Sequence, residues 1–227
     1  MLPKPYYSTN LGVLYHGDCL TIMPNLEPVD LVLTDPEYDI HAGKGGGCFG
    51  DRKHLVNTGG FTDCGRDHSF LNLFKNWFCF CSLKQLDGLL KLASMKDRRN
   101  LITWCKPNPV PTCNNKYLPD VEYIVHGFSK GRLFGGYGDK SSFSIINCGN
   151  KDTDHPNEKP VGLIQKLIIC GSEKGNLILD SFIGSGTTAI ACERLNRRWI
   201  GIEIEERYCE ISAKRIEKER SQLKLWA

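Results

Sequence analysis

The sequence predicts an α/β fold built around a mostly parallel sheet. Short apolar runs typical of buried strands alternate with segments whose apolar residues recur at helical spacing. Strands that alternate with helices form a parallel sheet covered on both faces. A glycine-rich turn also joins one such strand to one such helix near residue 184. The chain of 227 residues is long enough for one full α/β core and too short for two large domains.

The apolar runs predict five strands, of which the first, Val29 to Thr34, leads directly into Asp35. The other four cover residues 100–104, 121–125, 177–180 and 199–203. Helical spacing is seen at Val161, Ile164, Leu167 and Ile168, and again at Tyr208, Ile211 and Ile216. Residues 187–195, after the glycine-rich turn, form a third predicted helix.

Two stretches do not fit a core. Residues 41–67 contain eight glycines, which predicts a mobile surface loop because glycine adds backbone entropy and few packing groups. Residues 127–154 mix Gly, Ser, Lys and aromatic residues, and long loops of this kind often recognise a substrate. We therefore expect a single domain, 1–227, with a first half 1–126, a candidate recognition segment 127–154 and a second half 155–227.

Composition narrows the class of protein. The net charge of +3 permits nucleic-acid binding without requiring it. No stretch of about 18 apolar residues predicts a membrane span, and the first residues lack an apolar signal region, so we expect a cytoplasmic protein. The 11 cysteines are odd in number and lack paired C-x2-C spacing. Reduced thiols that mostly pack as small core residues are therefore expected, with no metal site.

Residues 177–203 predict a nucleoside-binding site. A strand, a turn containing Gly184 and Gly186, and a helix place a ligand at the helix N-terminus. Glu203 ends the next strand, 19 residues after Gly184, where an acid can accept hydrogen bonds from two ribose hydroxyls. The turn lacks the full G-x-G-x-x-G pattern, so no pyrophosphate is required, and S-adenosylmethionine fits. A turn that only connects two elements remains the alternative.

The segment Asp35-Pro36-Glu37-Tyr38 follows a predicted strand, so it should lie at the same edge of the sheet as the glycine-rich turn. Its residue types predict chemistry on an amino group. The amino nitrogen of adenine or cytosine is a poor nucleophile, since its lone pair delocalises into the ring. Asp35 and the Pro36 carbonyl can accept its two N–H bonds, which frees the lone pair for a methyl group. Tyr38 can stack on a base flipped out of the duplex. A simple turn is the alternative, and no Pro-Cys pair supports cysteine chemistry on a pyrimidine ring.

These motifs, with the catalytic segment before the cofactor segment, resemble the permuted, β-type DNA amino-methyltransferases of the N6-adenine or N4-cytosine kind. The resemblance runs through residues 15–20, 34–40, 104–109, 122–124, 155–160, 182–188, 201–203 and 206–208. It implies a circularly permuted, Rossmann-like, S-adenosylmethionine-dependent methyltransferase fold. Such a fold has a seven-stranded, mostly parallel sheet, and here a small recognition insertion.

The resemblance also implies residue roles. The catalytic residues would be Asp35, Pro36 and Tyr38. S-adenosylmethionine would be bound, from its adenine to its methionine end, by residues of both halves of the chain: Asp18, Cys19, Asp35, His155, Lys159, Pro160, Asp180, Phe182, Gly184, Ser185, Gly186, Thr187 and Glu203. Glu37 stands where the family usually has a second proline, which predicts weakened activity, altered base choice or a catalytically silent DNA-binding relative.

Further predictions concern the substrate and the partners. An acid at position 35 favours adenine in this family, and N4-cytosine is the alternative; RNA or a protein amide are further alternatives. Lys130, Arg132 and Lys140 are predicted to contact phosphates of double-stranded DNA, although basic residues also occur on any solvated face. A homodimer and a cognate restriction endonuclease are possible partners, and the sequence shows neither.

Overall fold

A computed structural model of the chain describes residues 1–36, 68–109, 117–118, 120–129, 140–145 and 158–225. Nine strands lie in these ranges: β1 (Tyr7–Ser8), β2 (Gly12–His16), β3 (Leu31–Thr34), β4 (Asn76–Cys81), β5 (Arg98–Cys105), β6 (Val121–Phe128), β7 (Ser142–Ser144), β8 (Leu177–Asp180) and β9 (Arg198–Glu203). The five strands expected from the sequence are all present, with ends that differ by at most three residues.

The strands form one sheet in the order β1-β2-β9-β8-β3-β4-β6-β5-β7. Five of the eight neighbouring pairs are parallel, so the mostly parallel α/β class is confirmed. The sheet has nine strands where seven were expected. The strands β1 and β7 at its two edges have only two and three residues, too few to produce a periodic pattern. Seven longer strands remain without them.

The centre of the sheet brings the two predicted motifs together. Strand β3 pairs in parallel with β8, with Val32 opposite Leu179. From this central pair the chain runs in opposite directions across the sheet: β4 follows β3 and lies on one side, and β9 follows β8 and lies on the other. A position where the strand order reverses in this way leaves a crevice at the carboxyl ends of the strands, where ligands of α/β proteins bind. Asp35 and the glycine-rich turn both follow strands that end there.

Helices cover both faces of the sheet. They are α1 (Cys19–Ile22), α2 (Leu83–Ala93), α3 (Val161–Gly171), α4 (Thr187–Leu195) and α5 (Glu206–Leu225), with short 3-10 helices at Met23–Asn25 and His68–Leu73. Side chains of α3, α4 and α5 pack into one hydrophobic cluster. Those of α1, α2 and both 3-10 helices pack into a second cluster on the other face. Burial of apolar side chains on both faces stabilises the sheet and so fixes the position of the carboxyl ends of its strands.

Five of the seven described cysteines are buried, as expected for small core residues. No group of three or more metal-binding side chains converges within the described ranges. In the same ranges, every helix is too short or too polar to cross a bilayer.

Candidate active site

A hydrogen bond joins the ends of the two central strands. The hydroxyls of Thr34, the last residue of β3, and Ser181, the first after β8, lie 3.0 Å apart and are buried. Asp35 and the turn 181–186 therefore start from adjacent points on one sheet edge, as the sequence predicted. Asp35 is partly exposed at this edge, whereas Pro36 is buried.

The turn requires its glycines. Gly184 has φ 51° and Gly186 has φ 83°, in the left-handed region that disfavours other residues. A Cβ on Gly186 would also lie 2.3 Å from the Ser212 hydroxyl of α5. Gly186 is the N-cap of α4, so this backbone brings the helix N-terminus to the crevice. The tight turn and helix predicted from the sequence are confirmed.

Asp180 supports the turn from within the protein. Its Oδ1 accepts a hydrogen bond from the Phe182 N–H at 3.1 Å, and its Oδ2 accepts one from the Thr188 hydroxyl at 2.6 Å. Only 5% of the residue is exposed, and burial raises the pKa of its carboxyl to about 7. Both oxygens are thus engaged within the protein, and Asp180 joins the backbone of the turn to the first residues of α4.

Arg215 supports the same turn from α5. Its Nη1 donates to the Ser185 carbonyl at 2.5 Å, and its Nη2 pairs with Glu158 at 2.5 Å. The Arg215 and Glu158 side chains are 13% and 14% exposed. This contact links the turn to the segment immediately before α3, which carries Lys159 and Pro160.

Glu203 is held at the carboxyl end of β9. Its Oε2 accepts from the Gly184 N–H and its Oε1 from the Glu205 N–H, both at 2.9 Å. Burial raises the pKa of this carboxyl. A carboxylate has about four lone-pair positions, so these two bonds orient it and leave capacity for further donors. Its backbone carbonyl also accepts from the Gly17 N–H at 2.8 Å, which places Asp18 near the same edge.

The groups at this edge fit S-adenosylmethionine. The Glu203 carboxylate suits ribose hydroxyls, and the exposed Asp18 carboxylate, which caps α1, can accept from an amino group. Phe182 is partly exposed, and Ile204 is 43% exposed despite its apolar side chain. Ile204 was not predicted from the sequence, although its position directly after the strand-ending acid is a usable signal. The predicted contact Cys19 is buried in α1.

The Asp35 carboxylate is held by Lys159, whose Nζ lies 2.5 Å from Oδ2. The same ammonium lies 3.4 Å from Glu122 Oε2, and Lys106 pairs with the other Glu122 oxygen at 2.6 Å. Burial acts to lower the pKa of Lys159, but Asp35 and Glu122 outweigh it and raise the pKa. The sequence predicted Lys159 as a cofactor contact and assigned no role to Glu122 or Lys106.

Comparison with known proteins decides the family. Residues 29–214 match the family of N6 and N4 methyltransferases described as DNA methylases. The chain belongs to this DNA methylase family. It is therefore an S-adenosylmethionine-dependent methyltransferase, and its substrate is DNA.

Similar proteins agree with this DNA methylase assignment. The Type II methyltransferase M2.DpnII of Streptococcus pneumoniae is 26% identical, over 96% of this chain and 94% of that protein. M2.MboI of Moraxella bovis is 28% identical, over 93% and 90% of the two chains. The fold is similar to the crystal structure of an M1.HpyAVI complex with S-adenosylmethionine, with 24% identity, a TM-score of 0.65 and coverage of 89% and 98%. It is also similar to the cytosine-N4-specific PvuII methyltransferase, with 19% identity, a TM-score of 0.70 and coverage of 96% and 93%.

Some residues predicted for this DNA methylase lie outside the described ranges. These are Glu37, Tyr38, Lys130, Arg132 and His155. Lys140 is described, and it is exposed two residues before β7 at the far edge of the sheet. The structure brings Asp35, Lys159, Pro160 and the glycine-rich turn to one region. It places Lys140 near β7, the strand at the far edge of the sheet.

Proposed function

We propose that this DNA methylase transfers the methyl group of S-adenosylmethionine to the N6 amino group of adenine in double-stranded DNA. The observation that carries the proposal is the Thr34–Ser181 hydrogen bond, since it sets Asp35 beside the cofactor turn. An acid at position 35 favours adenine over cytosine by the family resemblance. N4 of cytosine is the second candidate acceptor, because its amino group makes the same hydrogen bonds.

The chain contributes hydrogen-bond acceptors rather than a covalent nucleophile. The Asp35 carboxylate and the Pro36 carbonyl accept the two N–H bonds of the target amino group, so its lone pair points away from the ring. When bound, S-adenosylmethionine supplies an electrophilic methyl group. A nitrogen–carbon bond would form as the sulfur–carbon bond breaks, and the proton that the nitrogen then loses would pass to the Asp35 carboxylate or to water. Holding the reacting atoms in line supplies much of the rate enhancement.

Cofactor binding is proposed to use the residues at the sheet edge. Glu203 accepts hydrogen bonds from the ribose hydroxyls, and Asp18 accepts from the adenine amino group. Phe182 and Ile204 offer apolar surface to the adenine ring. The backbone of residues 184–187 lies against the methionine portion, where a glycine backbone allows close approach. His155 and Pro160 are proposed to close the methionine pocket, and Tyr38 to stack on the flipped base.

The biological setting is also a proposal. The relatives named above are Type II methyltransferases, so we propose a role in restriction-modification beside a cognate endonuclease. Lys130, Arg132 and Lys140 are proposed to contact DNA phosphates. Removing such charges should weaken DNA binding and flatten its dependence on salt. The homodimer and the cytoplasmic location remain predictions from the sequence.

The decisive experiment follows the methyl group. The purified chain is incubated with methyl-labelled S-adenosylmethionine and unmodified genomic duplex DNA, which is then digested to nucleosides and analysed by mass. Labelled N6-methyl-2′-deoxyadenosine supports the proposal, and N4-methyl-2′-deoxycytidine selects the second acceptor. Asp35→Ala should abolish labelling, whereas Asp87→Ala, which removes an exposed carboxylate of α2, should retain it.

Two other outcomes separate the alternatives. Label recovered only with RNA or protein substrates would overturn the choice of DNA amino groups. Cofactor binding without any transfer would point to Glu37, and Glu37→Pro should then restore labelling. If neither form bound the cofactor or modified DNA, the proposed function would be wrong.

A further inference from the structure

Four charged side chains of alternating sign form a row that ends at the proposed catalytic carboxylate. Lys106 Nζ lies 2.6 Å from Glu122 Oε1, and Glu122 Oε2 lies 3.4 Å from Lys159 Nζ. Lys159 Nζ in turn lies 2.5 Å from Asp35 Oδ2. The four residues come from the end of β5, the start of β6, the segment before α3 and the end of β3. Four separate parts of the chain therefore converge on one row.

Lys159 is the most enclosed member of the row. Its side chain is 8% exposed, compared with 14% for Lys106, 19% for Glu122 and 25% for Asp35. Its ammonium also lies 5.0 Å from the centre of the Phe80 ring on β4. Removing an ammonium from water is costly, and a buried ion pair contributes little net stability compared with well-packed apolar side chains. A packing role alone gives no reason for a cation at this position.

We propose that Lys159 is a positioning residue that holds the Asp35 carboxylate ionised and correctly oriented, and that Glu122, anchored by Lys106, moderates this hold. The inference rests on the proposed role of Asp35 as acceptor for the amino group. It differs from the role that the resemblance implied for Lys159, which was contact with the cofactor. The ammonium is already shared by two carboxylates, so its charge acts on Asp35 before any ligand binds.

The alternating signs make the effect of each residue on Asp35 distinct. The Lys159 cation favours the ionised carboxylate, and loss of an adjacent opposite charge raises a carboxyl pKa by about 1–3 units. The Glu122 anion competes for the same ammonium, so its loss should lower the pKa of Asp35. The Lys106 cation pairs with Glu122, so without it Glu122 should attract the Lys159 ammonium more strongly. Loss of Lys106 should therefore raise the pKa of Asp35, but by less than loss of Lys159 does.

Other titratable groups also face Asp35. Asp180 on β8 interacts with it electrostatically, and burial raises the pKa of Asp180 to about 7. Cys79 and Cys81 on β4 also interact electrostatically with Asp35. Burial raises the pKa of both thiols, that of Cys81 to about 12. Both thiols thus stay neutral near neutral pH. A measurement that reads Asp35 itself is needed to separate it from Asp180.

The experiment combines a carboxyl titration with kinetics. Carbon-13 NMR of aspartate-labelled protein follows each carboxyl against pH, and Asp35→Asn identifies the Asp35 signal. The titration is repeated in Lys159→Met, Lys159→Arg, Glu122→Gln and Lys106→Met. The same four variants and the wild type are assayed for kcat against pH at saturating cofactor and DNA. Cofactor affinity is measured for each by calorimetry.

Each substitution is expected to move the pKa of Asp35 and the acid limb of the kcat profile in a particular direction. Lys159→Met should raise the Asp35 pKa and the acid limb of the kcat profile together by about 1–3 pH units, with cofactor affinity changed less than threefold. Lys159→Arg should restore most of this shift, since it keeps the charge. Glu122→Gln should move both readings to lower pH, and Lys106→Met should move them slightly to higher pH.

Two results would overturn the inference. An unchanged Asp35 titration in Lys159→Met would show that the ammonium does not control the carboxylate. Weakened cofactor binding with an unchanged titration would assign Lys159 to the cofactor instead. If Lys159→Met loses all activity or fails to fold, the opposite shifts in Glu122→Gln and Lys106→Met decide the question. If neither the wild type nor Glu37→Pro bound the cofactor or modified DNA, the proposed function would be wrong, and the titration would still test this inference.

Discussion

Thr34 and Ser181 share a buried hydrogen bond of 3.0 Å although 147 residues separate them in the chain. The bond joins the last residue of one central strand to the first residue after the other. It also sits between the proposed catalytic carboxylate and the proposed cofactor turn. Its integrity should therefore affect both folding stability and the alignment of the two halves of the site.

Thr34→Val should leave the Ser181 hydroxyl buried without this partner and lower the free energy of unfolding by about 1–3 kcal/mol. Ser181→Ala should act similarly from the other side. The double variant should be destabilised by less than the sum of the two, with a coupling energy of about 0.5–1.5 kcal/mol. Urea unfolding of the four proteins measures this cycle, and additive effects would contradict a direct hydrogen bond.

Gly186→Ala should destabilise the protein by about 1–3 kcal/mol, because the residue has φ 83° and a Cβ would meet Ser212 Oγ at 2.3 Å. It should also weaken S-adenosylmethionine binding, since the turn must shift to relieve the contact. Thermal unfolding and calorimetric titration measure the two effects.

Gly88→Ala provides the matched control. Gly88 lies inside α2, and a Cβ there would meet nothing within 4 Å. This variant should be stabilised by up to about 1 kcal/mol through helix propensity and should bind the cofactor normally. Equal effects of the two substitutions would show that the turn tolerates a side chain.

Asp180 should make stability depend on pH. Burial raises its pKa in the folded protein to about 7, above the ordinary value of 3.8, so the folded state binds its proton more tightly than the unfolded state. Its stabilising contribution is therefore fully present below about pH 4 and is lost as the pH rises to about 7. The loss should be on the order of a few kcal/mol.

Asp180→Asn tests this sign, because the amide stays neutral and keeps an oxygen for the Phe182 N–H. The stability of the variant relative to the wild type should rise steadily between about pH 4 and pH 7. Denaturant unfolding at several pH values measures the difference. A difference that stays constant with pH would show that Asp180 titrates normally.

Arg215→Met should lower both stability and cofactor affinity. The substitution removes the Arg215 half of its largely buried ion pair with Glu158, and it also removes the donor to the Ser185 carbonyl. We expect a loss of about 3 kcal/mol in unfolding free energy, at the low end for breaking a buried pair. Cofactor affinity should fall several-fold, because the turn loses its support from α5.

Lys214→Met is the control for Arg215→Met. Lys214 precedes Arg215 on the same helix, its side chain is 73% exposed, and it pairs with Glu210 one turn earlier. An exposed pair of this kind contributes about 0.3–0.5 kcal/mol. Unfolding and cofactor titration should therefore barely change, and a loss comparable to that of Arg215→Met would indicate a general effect of charge on α5.

The sequence by itself determined the α/β class, five strands, three helices and the glycine-rich turn. These features depend on local order: apolar periodicity marks strands and helices, and spaced glycines mark the turn. Helix α4 was predicted with its observed bounds, 187–195. Strand β4 (Asn76–Cys81) was not predicted from the sequence. All six of its residues are buried, and a continuous apolar run does not distinguish a strand from a buried helix.

Only the tertiary structure decided which distant groups meet. It placed Lys159 on Asp35, 124 residues away, and it engaged both oxygens of Asp180, which the sequence had assigned to the cofactor, with Phe182 of the turn and Thr188 of α4. It also set the strand order, which brings β3 beside β8 and adds the short edge strands. Such contacts depend on how strands from opposite ends of the chain pair and on which side chains then share a buried space. Local periodicity specifies which face of an element is buried, but it does not specify the partner against which that face is packed.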